Sequence, residues 1–183
     1  MLKEIIGLMD NDTTLLLYGD HGMTNDGNHG GGTQNEIKTT FFAYSKGGLP
    51  MLKREEIRKQ LLADKSVKSL KQLDISSIAS FILEQPVPFS SLGILHPLLH
   101  MSDNISELPW KMLGNLKQIQ AYIDQYCEES PGLSWCELQI HQLEIFIDDM
   151  ALKLSQLKKG EDTEAVKLSL EMHAFANDKY KVF

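Results

Sequence analysis

Residues 15 to 32, LLLYGDHGMTNDGNHGGG, constrain this chain more than any other stretch. Thr13 to Tyr18 is a β-prone run, and its apolar residues are continuous rather than alternating. That pattern predicts a strand buried on both faces, as in a sheet covered by helices. Glycine then takes over, and Asp20, His21 and His29 fall in a loop leaving the strand at its carboxyl end, where open α/β sheets bind ligands. In a regular strand neighbouring side chains point to opposite faces, so Asp20 and His21 would diverge. Gly19 and Gly22 let the backbone turn, and the two side chains can then converge. His29, eight residues on between Asn28 and Gly30, sits where the loop can fold back beside them. A carboxylate with imidazoles is a donor set that zinc accepts. Histidines in glycine-rich loops are also ordinary turn residues, and the residues alone leave both readings open.

The text around this loop predicts an α/β front part followed by helices. Leu2, Ile5, Ile6 and Met9 share one face of a short helix over residues 2–9, and TTFFAYS (39–45) reads as a second strand. From Leu52 to Lys71 seven Lys and Arg stand against three Asp and Glu, which predicts a solvated helical insertion. QLDISSIASFILEQPVPFSSLG (72–93) predicts a helix that Pro86 and Pro88 cannot continue. Beyond Asn104 the text is helical, with a first helix near 109–126, the SPGLS break at 130–134, a second helix striped by Leu143, Phe146, Ile147, Met150, Leu154 and Leu157, and a third from KKGED (158–162) towards Phe183. The expected boundaries are therefore 1–104 and 105–183.

Charge and composition exclude several roles. A net charge of -7 argues against nucleic acid, whose binders carry a basic face. No apolar run approaches the ~20 residues of a membrane-spanning helix, and the charged start reads as no secretory signal. Cys127 and Cys136 bracket EESPGLSW; the ordinary reading is two thiols, with a disulfide closing a helical hairpin as the alternative in an oxidising compartment. Asn11 and Asn104 head Asn-x-Ser/Thr triplets, which are compatible with a lumenal protein. His96 and His100, in HPLLH, are expected as turn and surface residues because Pro97 would start a helix after His96. His141 and His173 stand singly in helical text, and Trp110 and Trp135 are expected to anchor helix packing.

The letters LLLYGDHGMTNDGNHGGGTQNEIKTTFFAYSK resemble a segment of the GPI ethanolamine phosphate transferases: Gly-Asp-His-Gly-Met-Thr, then Gly-x-His-Gly-Gly, a Glu, and an apolar strand ending Tyr-Ser. QLDISSIASFILEQPVPFSSLG resembles a later motif of the same family, with Ser91 in place of its Asn and the pair Glu84–Gln85 where the family has Leu and Gly. The similarity is specific over residues 1–97, loose over 98–183, and strongest to the family member that loads the third mannose. It implies a fold class of α/β type, the C-terminal part of an alkaline-phosphatase-like sheet domain followed by a helical lumenal extension that precedes the family's membrane spans.

The resemblance also implies a chemistry. Asp20 and His21 would hold one zinc, which also binds the catalytic threonine, and His29 the other; phosphoethanolamine would pass from phosphatidylethanolamine to the threonine and then to a mannose of the GPI precursor. The implied setting is the lumenal face of the endoplasmic reticulum membrane, reached through segments absent from this chain, with a small membrane accessory subunit. The family's threonine nucleophile, an early Asp ligand and an Asp-x-x-Gly-His pair lie upstream of the matching segment and are not in these 183 residues; Thr24 reads as a polar loop residue. The expectation is thus of an incomplete chain, inactive alone, whose unfinished sheet exposes an edge that aggregates or finds a partner. Two other readings stand beside this one: a metal phosphodiesterase or phosphatase of the same superfamily, and a non-catalytic helical interaction module.

Overall fold

The computed structural model describes residues 1–130 and 134–179, and of Pro50, Ser134, Trp135 and Glu137 only the backbone. The chain forms two compact units, Met1–Leu49 and Pro50–Phe183. Residues 50–104 thus share a unit with the long helices, so the change of composition after Asn104 is not the line between the compact units.

The first unit contains α1 (Leu2–Leu8), β1 (Thr14–Tyr18), α2 (Gln34–Ile37) and β2 (Phe41–Ser45). Asp10 shapes the turn between α1 and β1: its Oδ1 accepts the Thr13 hydroxyl at 2.6 Å and the Asp12 N–H at 3.1 Å. The strands pair antiparallel, Thr14 opposite Ser45 and Tyr18 opposite Phe41. Both predicted strands therefore form, and they pair with each other. The burial expected for β1 does not follow, since Leu17 is 52% and Tyr18 48% exposed. Among the described residues β1 has one strand neighbour, so its other edge is open.

In the second unit α3 (Pro50–Lys53) and α4 (Glu55–Ala63) carry the basic text, α5 (Asp74–Ile82) follows, and α6 (Leu108–Glu129), α7 (Ser134–Ser155) and α8 (Asp162–Lys179) are the three long helices. The stripe read on α7 is the stripe that is buried: Leu143, Ile147, Met150 and Leu154 join Leu116, Ile119 and Ile123 of α6 and Val166, Leu170 and Met172 of α8 in one core. Phe146 of α7 and Phe175 of α8 stack in parallel, 3.7 Å between ring centres. α5 ends at Ile82, before the proline pair. Glu84 then has φ +52°, a left-handed conformation that glycine adopts without strain.

Residues 89–95 form no strand, and their backbone groups are paired by side chains. The buried Asp74 carboxylate accepts the Ile94 N–H at 2.9 Å and the Lys71 N–H at 2.7 Å. Asn115 of α6 accepts the Leu95 N–H at 3.0 Å and donates to the Gly93 carbonyl at 3.2 Å, to which the Ser77 hydroxyl also donates at 2.9 Å. Gln118 donates to the carbonyls of Phe89 and Ser91 at 2.6 and 2.9 Å. Burial raises the Asp74 carboxyl above its usual range against the pull of the Ile94 and Lys71 N–H groups. Gly93 allows this approach: a Cβ there would lie 2.2 Å from the Leu73 carbonyl oxygen.

Several single-residue expectations are corrected. Pro97 does begin a 3-10 turn (Pro97–Leu99) with His96 outside it, but His96 and His100 are buried rather than on the surface. The turn lies under α8, where the His96 ring meets the His173 ring edge-on at 5.1 Å, and His100 stacks on Phe81 of α5 at 5.5 Å. His173 is not single: its Nδ1 lies 3.1 Å from the Ser66 hydroxyl, beside the Asn177 amide. His141 is exposed. Trp110 is 51% exposed rather than buried; the Trp135 side chain lies outside the described residues. Cys127 and Cys136 are joined in a disulfide between α6 and α7, where two thiols were the ordinary reading.

Two predictions follow from this packing. Burial pushes His96 down to about 4 and His173 to about 3; a hydrogen bond to Val67 opposes the shift at His96, and at His173 the neighbouring His96 adds to it. Both are neutral in the folded chain at a pH where the unfolded chain is already charged. The unfolded state therefore binds more protons between about pH 6.5 and 4, and stability is lost as pH falls through that window, on the order of 2 kcal/mol per imidazole at pH 5. Thermal melts at pH 7.5 and 5.0 should show the loss, and the ring resonances of these two histidines should not titrate between those pH values in the folded protein. The disulfide closes a short loop, so its reduction should cost the helical unit about 2.5 kcal/mol. Denaturant melts with and without reductant measure this, and thiol titration of the unreduced, denatured chain should find no free cysteine.

Candidate functional site

The glycine loop between β1 and α2 is built around one buried carboxylate that the sequence reading gave no role. Glu36, in the first turn of α2, accepts the Gly31 N–H at 3.1 Å, the Thr33 N–H at 3.2 Å and the Thr33 hydroxyl at 2.5 Å. The Thr33 hydroxyl, with the two N–H groups, holds its carboxyl below the usual carboxylate range. The spacing Thr33-x-x-Glu36 is a capping box, and that signal was present in the sequence. At the other end of the loop the Gly22 N–H donates to the Glu36 backbone carbonyl at 2.7 Å and the Gly19 N–H to Thr40 at 3.1 Å. A Cβ on Gly22 would lie 2.0 Å from the Asn35 carbonyl oxygen and 2.3 Å from that of Lys38. Backbone cannot retreat that far, so only glycine fits.

Asp20 and His21 lie between these two anchored glycines. His21 Nδ1 donates to the Gly22 carbonyl at 2.7 Å, which leaves Nε2 of the neutral ring with its lone pair, 3.7 Å from Asp20 Oδ2. The turn thus brings together two side chains that a strand would separate. Two donors about 2.0–2.1 Å from one zinc at a tetrahedral angle stand about 3.3 Å apart, so the observed separation is close to the edge of such a site. The backbone hydrogen bond on the opposite ring nitrogen is the contact that orients metal-binding histidines. His29 returns to the same place: its ring stacks on that of His21 in parallel, 5.0 Å between centres. All three groups are exposed to solvent. Among the described residues no group of three or more His, Cys, Asp or Glu is assembled around one point that could hold a metal ion. The arrangement present is a carboxylate and an imidazole turned to each other, with a second imidazole stacked on the first.

Thr24 takes no part in it. Its hydroxyl accepts the Asn28 N–H at 3.0 Å, and its backbone N–H donates to the Asn28 carbonyl at 2.9 Å, closing the loop tip that carries His29.

The sequence has clear relatives. Over 125 residues, 66% of this chain, it is 34% identical to GPI ethanolamine phosphate transferase 3 of Saccharomyces cerevisiae, of which the match is 12%. It is 32% identical to the transferase 3 of Schizosaccharomyces pombe over 127 residues, 68% of this chain and 13% of that protein. Against the transferase 3 catalytic subunit of Mus musculus it is 25% identical over 175 residues, 90% of this chain and 15% of that protein. The chain spans about an eighth of the length of the curated relatives it matches. No family model and no solved structure matches it. The chain belongs to the GPI ethanolamine phosphate transferases: its matches in fungi and mammals include proteins named transferase 3, and further fungal matches are named transferase 2 and transferase 1.

Proposed function

We propose that this chain is part of a phosphoethanolamine transferase acting on the GPI anchor precursor at the lumenal face of the endoplasmic reticulum, and that it contributes zinc-binding residues without being active alone. One observation carries the reading: in the loop that resembles the transferases, Asp20 Oδ2 and His21 Nε2 face each other 3.7 Å apart with the His29 ring stacked against His21. Asp20 and His21 would hold one zinc and His29 the other. Zinc bound there supplies Lewis-acid stabilisation of the phosphoryl oxygens and lowers the pKa of an attacking hydroxyl.

The chain's own groups do the positioning. The Gly22 carbonyl holds the His21 ring with Nε2 turned to the Asp20 side, and Glu36 fixes the loop that returns His29. The rest of the machinery belongs to the longer protein: the threonine that takes phosphoethanolamine from phosphatidylethanolamine, the remaining ligands, the contact with the third mannose, the membrane spans and the accessory subunit. The alkaline-phosphatase-like sheet is part of this proposal, and the open edge of β1 suits a strand that awaits further neighbours. A metal phosphodiesterase of the same superfamily is the second reading; the transferase names of the relatives favour the first.

The test is made in a longer protein that includes this segment. His29→Ala should lower bound zinc and abolish transfer of labelled phosphoethanolamine. Gly22→Ala changes no donor and should lower zinc content by displacing the Asp20–His21 turn, while the helical unit melts as before. Full zinc and full transfer in both variants would remove these residues from the site, and measurable transfer by the isolated 183-residue chain would refute its incompleteness.

A further inference from the structure

The loop from Ser102 to Glu107 holds its backbone inside and one side chain outside. Ile105 is buried in the helical core, and the Asn104 carbonyl receives a hydrogen bond from His100 Nε2, itself buried, at 3.1 Å. The Asn104 N–H donates to the Ser102 hydroxyl at 3.1 Å. The Asn104 residue itself is exposed. Its amide oxygen accepts the Ser106 hydroxyl at 2.7 Å, and its Nδ2 donates to Glu107 Oε1 at 2.9 Å. Asn104 and Ser106 are the first and third residues of an acceptor triplet, and they sit side by side on the surface.

A second feature bears on the compartment independently of any relative. Cys127 and Cys136 are paired, and a disulfide forms and persists in the oxidising secretory compartments, where asparagine-linked sugar is attached. The surroundings also offer room. Immediately after the triplet an open groove of about 390 Å³ is lined by Ser106, Glu107, Trp110, Lys111 and the Leu157–Lys159 turn, and its half-exposed indole is a flat apolar face beside the loop.

We propose that Asn104 is an N-glycosylation site. Its Nδ2 forms a bond to the anomeric carbon of a lipid-pyrophosphate-linked oligosaccharide, the bond from that carbon to the pyrophosphate oxygen breaks, and the amide gives up one proton as the lipid pyrophosphate leaves. One N–H remains on Nδ2, enough to keep the bond to Glu107. The sugar is polar and bulky, and at this place it shields the groove and the exposed Trp110. The proposal shares the lumenal setting with the transferase reading but uses none of its site residues.

The experiment is translation of the full chain behind a cleavable secretion signal in the presence of microsomes, reading gel mobility of the protease-protected product before and after endoglycosidase. In an Asn11→Gln background the protected chain should show one glycan step. Asn104→Gln and Ser106→Ala should each remove it, and Ser106→Thr should keep it. Attachment precedes folding, so a variant that folds poorly still reports. A protected chain with no step in the Asn11→Gln background, or a step that persists in the Asn11→Gln, Asn104→Gln double variant, overturns the proposal and leaves the transferase reading untouched.

Discussion

Backbone polar groups taken out of water must find partners, and in this chain the partners that fix the irregular segments are side chains rather than strands. In the first unit one carboxylate, Glu36, gathers two N–H groups and a hydroxyl and so closes a loop made largely of glycine. In the second, Asp74, Ser77, Asn115 and Gln118 serve residues 89–95 in the same way. A bond to a charged carboxylate is worth more than a neutral one, and a buried group left unpaired costs more than the bond gains. Each segment is therefore held in one conformation by a few named residues, and the helices supply a frame on which to hold it.

What the glycine loop achieves follows from this. Pleat alternation would send Asp20 and His21 to opposite faces of a strand; a turn anchored at Gly22, where a side chain would strike two carbonyl oxygens, brings them to the same side. The His21 ring cannot rotate freely while Nδ1 is bonded to the Gly22 carbonyl. His29 then has to return across a tip closed by Thr24 and Asn28. The chemistry proposed for these residues depends on that pre-set geometry, because donors already oriented need less ordering when an ion arrives.

Much of this was legible in the residues. Unbroken apolarity located β1 and β2, the three-and-four spacing located the buried face of α7, and Asp20, His21 and His29 were brought to one loop by their glycines. What could not be read was whatever depends on a distant neighbour. His96 and His173 are far apart in sequence, and only the fold reveals that their rings meet in the core. Nothing in LPWKMLGN says that Asn115 points inward to a non-helical backbone while Trp110 stays half in water. The pairing of Cys127 with Cys136 was legible as the alternative of a bridged helical hairpin, and the fold decides for it by bringing α6 and α7 together there. The exposure of Leu17 and Tyr18 has the same origin, since a strand's composition states what it would bury and not whether its neighbours are present.

The central claim is that the adjacent Asp20 carboxylate and His21 imidazole hold one zinc and the His29 imidazole, on the loop's return, holds its neighbour. X-ray absorption at the zinc edge, made on a zinc-loaded longer protein containing this segment, addresses it most directly. The account predicts a first shell of nitrogen and oxygen at about 2.0–2.1 Å with outer-shell imidazole scattering that weakens when His21 is replaced. A shell containing sulfur, or an imidazole signal unchanged by loss of His21, would contradict it.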